Sequence, residues 1–151
     1  MSDSFGIEFF VAGIAKPAGS KRGFFAKKLG RVIITDANKN SKDWKTDVKI
    51  AAQSAYDGPL ITEPISVTFQ FFMPRPAGHY GTGKNESKLR ASAPAFPKSK
   101  PDVLKLARGV EDALSGIIYK DDAQIVVEHL YKSFTSEGCK PGVKITITAL
   151  T

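Results

Sequence analysis

The chain has 151 residues, 42% hydrophobic and 25% charged, enough for one hydrophobic core and too few to expect two. Its formal net charge of +7 favours a polyanionic partner, nucleic acid before an anionic membrane surface. Cys139 is the single cysteine, which excludes an intramolecular disulfide and a zinc site built on paired cysteines; with no signal-peptide pattern at the start and no apolar run of bilayer-spanning length, a cytoplasmic protein is expected.

The first strand is expected over residues 6–13, where Ile7, Phe9 and Val11 alternate with Glu8, Phe10 and Ala12. A flexible basic stretch, 16–23, follows, and then a short β-branched strand over 31–35. Asn40 or Ser41 is placed to cap a helix running to about Tyr56, with Trp44, Val48, Ala51 and Ala55 as its apolar stripe. Pro59 and the turn at Thr62-Glu63-Pro64 close that unit. In the next strand Ile65, Val67, Phe69 and Phe71 share one face, opposite Ser66, Thr68 and Gln70.

Residues 74–100 are irregular and carry six Lys or Arg against the single Glu86, a loop long enough to be functional or disordered. A second helix is expected over 103–114, buried through Val103, Leu106, Ala107, Val110, Ala113 and Leu114 and stopped by Gly116. After a Lys120-Asp121-Asp122 turn come a strand over 123–134, a turn at 138–142, and a last strand in which Val143, Ile145 and Ile147 alternate with Lys144, Thr146 and Thr148. Two main helices among about five strands, without regular βαβ alternation, predict one small α+β domain with a mixed sheet.

The chemistry-bearing residues lie between Lys100 and Gln124. Asp102 stands at a helix start, and Asp121 and Asp122 stand in a turn that opens a strand. A helix packed on that strand can bring such carboxylates together, and Mg²⁺ takes one or two of them and fills its other positions with water and phosphate oxygens. Each aspartate also has an ordinary structural reading, Asp102 as a helix cap and the other two as turn formers. His79 and His129 have neither ligand spacing nor a neighbouring nucleophile, and no glycine-rich nucleotide loop is present, so triad hydrolases and nucleotide-loop enzymes are set aside.

Lys100-Pro101-Asp102, then Asp112-Ala113-Leu114, then Asp121-Asp122-Ala123-Gln124 resembles the core motif of the RusA Holliday junction resolvases. The likeness extends to the basic segment 16–23 and the Trp44 helix, and so covers most of the chain. It implies a homodimer that makes paired, Mg²⁺-dependent nicks at the crossover of four-way DNA, with Mn²⁺ as a substitute metal. The family's catalytic carboxylates map onto Asp102 and Asp122, with Asp121 beside the latter as a further metal ligand. The essential family lysine maps onto Arg108, which keeps the positive charge but cannot donate a proton at neutral pH. A second family aspartate is replaced by Leu104. Glu111 shares a helical face with Leu104 and Arg108, and the expectation is that it supplies the missing carboxylate, with the metal further along the helix because two turns are roughly 10 Å. Glu128 is expected to be an exposed strand residue on one face with Asp122, Gln124 and Val126.

For DNA contact the candidates are Lys16, Lys21 and Arg22 in the first basic segment and Arg75, Lys84, Lys88, Arg90, Lys98 and Lys100 in the second. Phe96 is placed to stack on or wedge beside a base. Shape recognition of branched DNA is expected, since no helix carries an Arg/Asn/Gln face suited to the major groove. Two alternatives stand beside the nuclease: a protein of the same fold that binds branched DNA without cutting, and a basic architectural protein. A phage or bacterial host cytosol is the setting the resemblance implies.

Overall fold

In the computed structural model the described residues are 5–18, 21–26, 31–36, 41–136 and 138–151, with backbone structure alone for 21–26, 31–36, 41 and 42. Six strands and two α-helices follow in the order β1 (Gly6–Ala12), β2 (Lys21–Ala26), β3 (Arg31–Asp36), α1 (Ser41–Ala55), β4 (Ile65–Met73), α2 (Val103–Leu114), β5 (Ile125–Phe134) and β6 (Gly142–Ala149). Four strands form a mixed sheet in the order β1-β6-β4-β5, and β2 and β3 pair separately as an antiparallel hairpin. The α+β class, the mixed sheet and the two helices are as expected. The sheet has four strands, and the basic stretch runs into β2, whose Lys21-Arg22-Gly23 start hides the apolar Phe24-Phe25 that follows.

The core lies on one face of the sheet. Strict alternation buries Ile65, Val67, Phe69, Phe71 and Met73 of β4, and β6 adds Val143, Ile145, Ile147 and Ala149. The antiparallel register sets Val67 against Ile147, Phe69 against Ile145 and Phe71 against Val143, so both apolar rows fall on the same side. Each such side chain contributes on the order of 1.5–3 kcal/mol by leaving water.

Helix α2 covers this face with Leu106, Ala107, Val110, Ala113 and Leu114, all buried, the spacing of an amphipathic helix. Gly116 follows its Ser115 cap with φ +85°, a conformation that glycine adopts freely. Helix α1 buries Trp44, Val48 and Ala52. Ala55, expected in that stripe, is exposed, because the four-residue steps from Trp44 to Val48 to Ala52 complete the contact before the helix ends. The two helices are joined by an ion pair from Lys45 Nζ to Asp112 Oδ2 at 3.6 Å. Among the described residues no helix is long and apolar enough to cross a membrane.

Two features of the connections position the candidate site. Strands β4 and β5 are parallel, so the chain between them must cross over the sheet, and α2 makes that crossing. In the parallel register Ile65 faces Ile125, but Ser66 faces Val127, so β5 carries one extra residue at Val126. That bulge resets the alternation. Glu128, Leu130, Lys132 and Phe134 then lie opposite Val67, Phe69, Phe71 and Met73, on the side of the sheet that α2 covers.

Candidate active site

Around the motif, residues 119–128 divide their work. The Asp121 carboxylate caps the 3-10 turn Asp122–Gln124, accepting from the Ala123 N–H at 2.8 Å, while the Asp121 N–H donates to Gln124 Oε1 at 2.7 Å. Gln124 Nε2 donates to the carbonyls of Ile61 (2.8 Å) and Glu63 (2.9 Å). Asp121 and Gln124 are thus the frame that holds the turn to the segment before β4.

Asp122 points the other way. Its Oδ1 accepts from the hydroxyl of Tyr119 at 3.1 Å, and the Glu111 carbonyl oxygen lies 3.2 Å from the same hydroxyl. Tyr119 is fully buried, so Asp122 is anchored to the last turn of α2 through a side chain with one position available. Burial raises the pKa of Asp122, the Tyr119 hydrogen bond lowers it, and the charges of Asp112, Asp121 and Glu128 raise it. Burial also holds the Tyr119 phenol well above its ordinary range, with Asp122 adding to the effect.

Glu111 completes the group. Its pKa is pushed up to about 8, first by burial, then by a hydrogen bond with Glu128 and by the charges of Glu128, Asp122 and Asp112. Two carboxyls that share a hydrogen bond must share a proton when no cation is near. Glu111 therefore lies within electrostatic reach of Asp122. Glu128 is exposed, as expected of a strand residue, and the extra residue at Val126 puts it on the α2 side of β5, where it reaches Glu111. No local sequence signal marks that bulge.

Asp102 occupies the other end of α2. It stands at the N-cap without a side-chain capping bond, and its Oδ2 lies 3.9 Å from Lys105 Nζ. It is nine residues before Glu111, about 13 Å along the helix axis. Leu104 and Arg108 are exposed between the two ends, Leu104 at 69%. Lys132 ties β5 to this N-terminal end, its Nζ donating to the carbonyls of Ser99 and Pro101, both at 2.8 Å.

The basic segment 74–100 has a frame of its own. Arg75 donates to the Pro94 carbonyl at 2.9 Å and lies 4.2 Å over the Phe134 ring, and Arg90 donates to the Tyr80 carbonyl at 2.7 Å. Lys84, Lys88, Lys98 and Lys100 are exposed, as is Phe96 at 73%. Lys16 sits where the segment after β1 crosses α2, next to the Ala18 N–H that donates to the Lys105 carbonyl at 3.0 Å. The side chains of Lys21 and Arg22 lie outside the described residues.

A mixed sheet crossed by one helix that carries carboxylates toward an edge strand, with a basic loop at the helix start, has the parts of a small nucleic-acid-cleaving domain. A family model described as Endodeoxyribonuclease RusA matches residues 15–148. The chain is 33% identical over 141 residues to the uncharacterized protein YqaN of Bacillus subtilis (strain 168), covering 93% of this chain and 94% of that one. The chain belongs to the RusA endodeoxyribonuclease family, which are nucleases of the Holliday junction resolvase type.

Proposed function

We propose that the protein is a divalent-metal-dependent endodeoxyribonuclease that resolves four-way and related branched DNA by paired nicks near the crossover. The observation that carries this reading is the Tyr119 hydroxyl, which holds Asp122 Oδ1 at 3.1 Å against the Glu111 turn of α2 at 3.2 Å. It sets the Glu111 and Asp122 carboxylates beside each other, with Glu128 close enough to raise the pKa of both. Their proximity is unfavourable without a cation, and the last turn of a helix makes it more so, because the dipole there is negative.

The donor set suits Mg²⁺ or Mn²⁺. It is made of carboxylate oxygens, and these ions need only one or two from the protein. Among the described residues no three acidic, imidazole or thiol side chains are grouped to hold a metal ion by themselves, so water and phosphate oxygens would have to complete the coordination. Asp122 and Glu111 would hold the ion, with Glu128 beside them. Bound there, a divalent ion lowers the pKa of a water and stabilises the leaving oxygen of a phosphodiester.

The remaining roles fall to the chain itself. Tyr119 fixes the rotamer of Asp122. Asp121 serves the turn through its capping bonds. Arg108, exposed on α2 between the two acidic ends, offers its guanidinium to the phosphate under attack. Asp102 lies beyond reach of a single ion held at Glu111, and in this reading it acts on the strand at the far end of α2 or on a second ion there. Lys84, Lys88, Lys98 and Lys100 follow the backbone of the DNA arms, and Phe96 meets an unstacked base. A homodimer suits paired nicks, and β5 is the free edge of the sheet with Val126, Val127 and Tyr131 exposed along it.

Exposed Leu104, at a position where the family carries a carboxylate, favours a second reading: a protein that binds branched DNA and does not cut it. A labelled synthetic four-way junction, incubated with and without Mg²⁺, separates the two. Paired nicks that are lost in Asp122→Asn and absent on linear duplex are the expected result. Tight junction binding with no nicks in Mg²⁺ or Mn²⁺ would leave the second reading.

A further inference from the structure

At the Asp102 end of α2 the structure forms an open pocket of about 480 Å³, within the ~300–1,000 Å³ range of small-ligand sites. It is assembled from three distant pieces of chain: the segment after β1, the end of β4 with the basic loop, and the end of β5. One wall is apolar, formed by Ile14, Met73, several prolines and Phe134. The Phe134 ring is fixed, with the Arg75 guanidinium 4.2 Å over its face and His79 edge-on at 5.4 Å between centroids.

The other wall is cationic. Lys16, Lys98, Lys100 and Lys132 line the cavity, and no acidic side chain is among its described lining residues. Lys132 spends two of its three donor hydrogens on the Ser99 and Pro101 carbonyls, which holds its charge at the cavity. A site of this composition is complementary to a flat, apolar-faced group that carries a phosphate.

We infer that this cavity receives one unstacked nucleotide of the DNA substrate, its base against the Phe134 and proline wall and its phosphate among the lysines. The inference rests on the nuclease reading and adds a subsite to it. The strand then runs along the exposed side of α2, past Arg108, and reaches the Glu111–Asp122 carboxylates about 13 Å further on. At 3.4 Å or more per nucleotide, the captured base lies within about four nucleotides of the cut. A junction crossover or a flap supplies an unstacked base at low cost, whereas an intact duplex must break stacking to provide one. The cavity therefore selects for branched DNA without reading sequence.

The test is an amide-resolved NMR titration of the full chain with thymidine 5′-monophosphate, thymidine and inorganic phosphate at matched ionic strength. The monophosphate is expected to shift the amides of Ala15, His79, Ser99 and Phe134 saturably, with an affinity at least fivefold above either fragment. Ile14→Trp, which fills the cavity from an exposed position, is expected to abolish these shifts with an unchanged melting temperature. Lys98→Ala with Lys100→Ala is a second variant that weakens the same shifts without touching the core. Equal response to inorganic phosphate alone, shifts mapping elsewhere, or monophosphate shifts that survive in Ile14→Trp would each overturn the proposal. The junction assay is independent: Mg²⁺-dependent cutting with a silent cavity removes only the subsite. Saturable nucleotide binding in a protein that neither binds nor cuts junctions removes the nuclease reading instead.

Discussion

Tyr119 and Asp122 are joined by a 3.1 Å hydrogen bond from the phenol to Oδ1, made by a tyrosine with no exposed surface. The donor comes from the segment between α2 and its turn, and the acceptor is the carboxylate proposed above to hold the metal, so packing of the core dictates the direction in which that carboxylate points. Tyr119→Phe keeps the ring and removes the bond. Stability is expected to fall by about 1 kcal/mol. Cleavage is expected to drop about tenfold, with more metal needed for half-maximal rate. Tyr119→Phe with a wild-type metal requirement and rate would show that the phenol does not orient Asp122.

Glu111 makes the stability of the metal-free protein depend on pH in a defined sense. Its folded pKa of about 8 lies above the ordinary 4.5, so between these values the folded state holds more proton than the unfolded one. Stability then falls as pH rises through that window. The expected observation is a melting temperature that declines from pH 5 to pH 8 in a chelating buffer, more steeply in the native chain than in Glu111→Gln. Added Mg²⁺ is expected to flatten the decline, because a cation replaces the shared proton. Parallel curves for the two proteins would place Glu111 outside the cluster.

Leu104 and Glu111 can be set against each other directly. Leu104 is exposed, so Leu104→Asp is expected to change the melting temperature by no more than about 2 °C, the scale of a sub-kcal/mol surface change. If Glu111 supplies the carboxylate, Leu104→Asp changes the cleavage rate less than threefold and Glu111→Gln lowers it at least a hundredfold. The reverse pattern would move the metal to the Asp102 end of α2.

Lys132 links the edge strand to the backbone that precedes Asp102. Lys132→Met keeps the stem and removes two charged hydrogen bonds, an exposed one to the Ser99 carbonyl and a partly buried one to the Pro101 carbonyl. A loss of about 1.5–3 kcal/mol is expected, with faster amide exchange at residues 99–103 and little change around 119–124. Uniform acceleration of exchange over both regions would indicate global loosening in place of a local tie.

Much of this molecule is legible in one dimension. The alternation of Ile65 to Met73, the amphipathic spacing of Leu106 to Leu114 and the Asp102–Gln124 motif are local patterns, and local patterns report backbone period and the face that must leave water. They were enough to predict α2, β4, β6, the α+β class and the residues among which the carboxylates are found. Strand β2 escaped because Lys21, Arg22 and Gly23 mask its apolar centre, and Ala55 was assigned to a stripe that the helix completes at Ala52.

The pairing across the site was decided only in three dimensions. Whether Glu128 lies on the α2 side of the sheet or on the opposite one depends on one extra residue at Val126, and register is a property of two strands together. Whether Asp121 or Asp122 turns toward α2 depends on which of them caps the turn and which meets a buried tyrosine 3 residues earlier. The lysine-lined cavity draws on segments after β1, after β4 and at the end of β5, joined by packing that no sequence window contains. Composition and period determine what each element is. The sheet register and the crossing of α2 determine which charges must face one another.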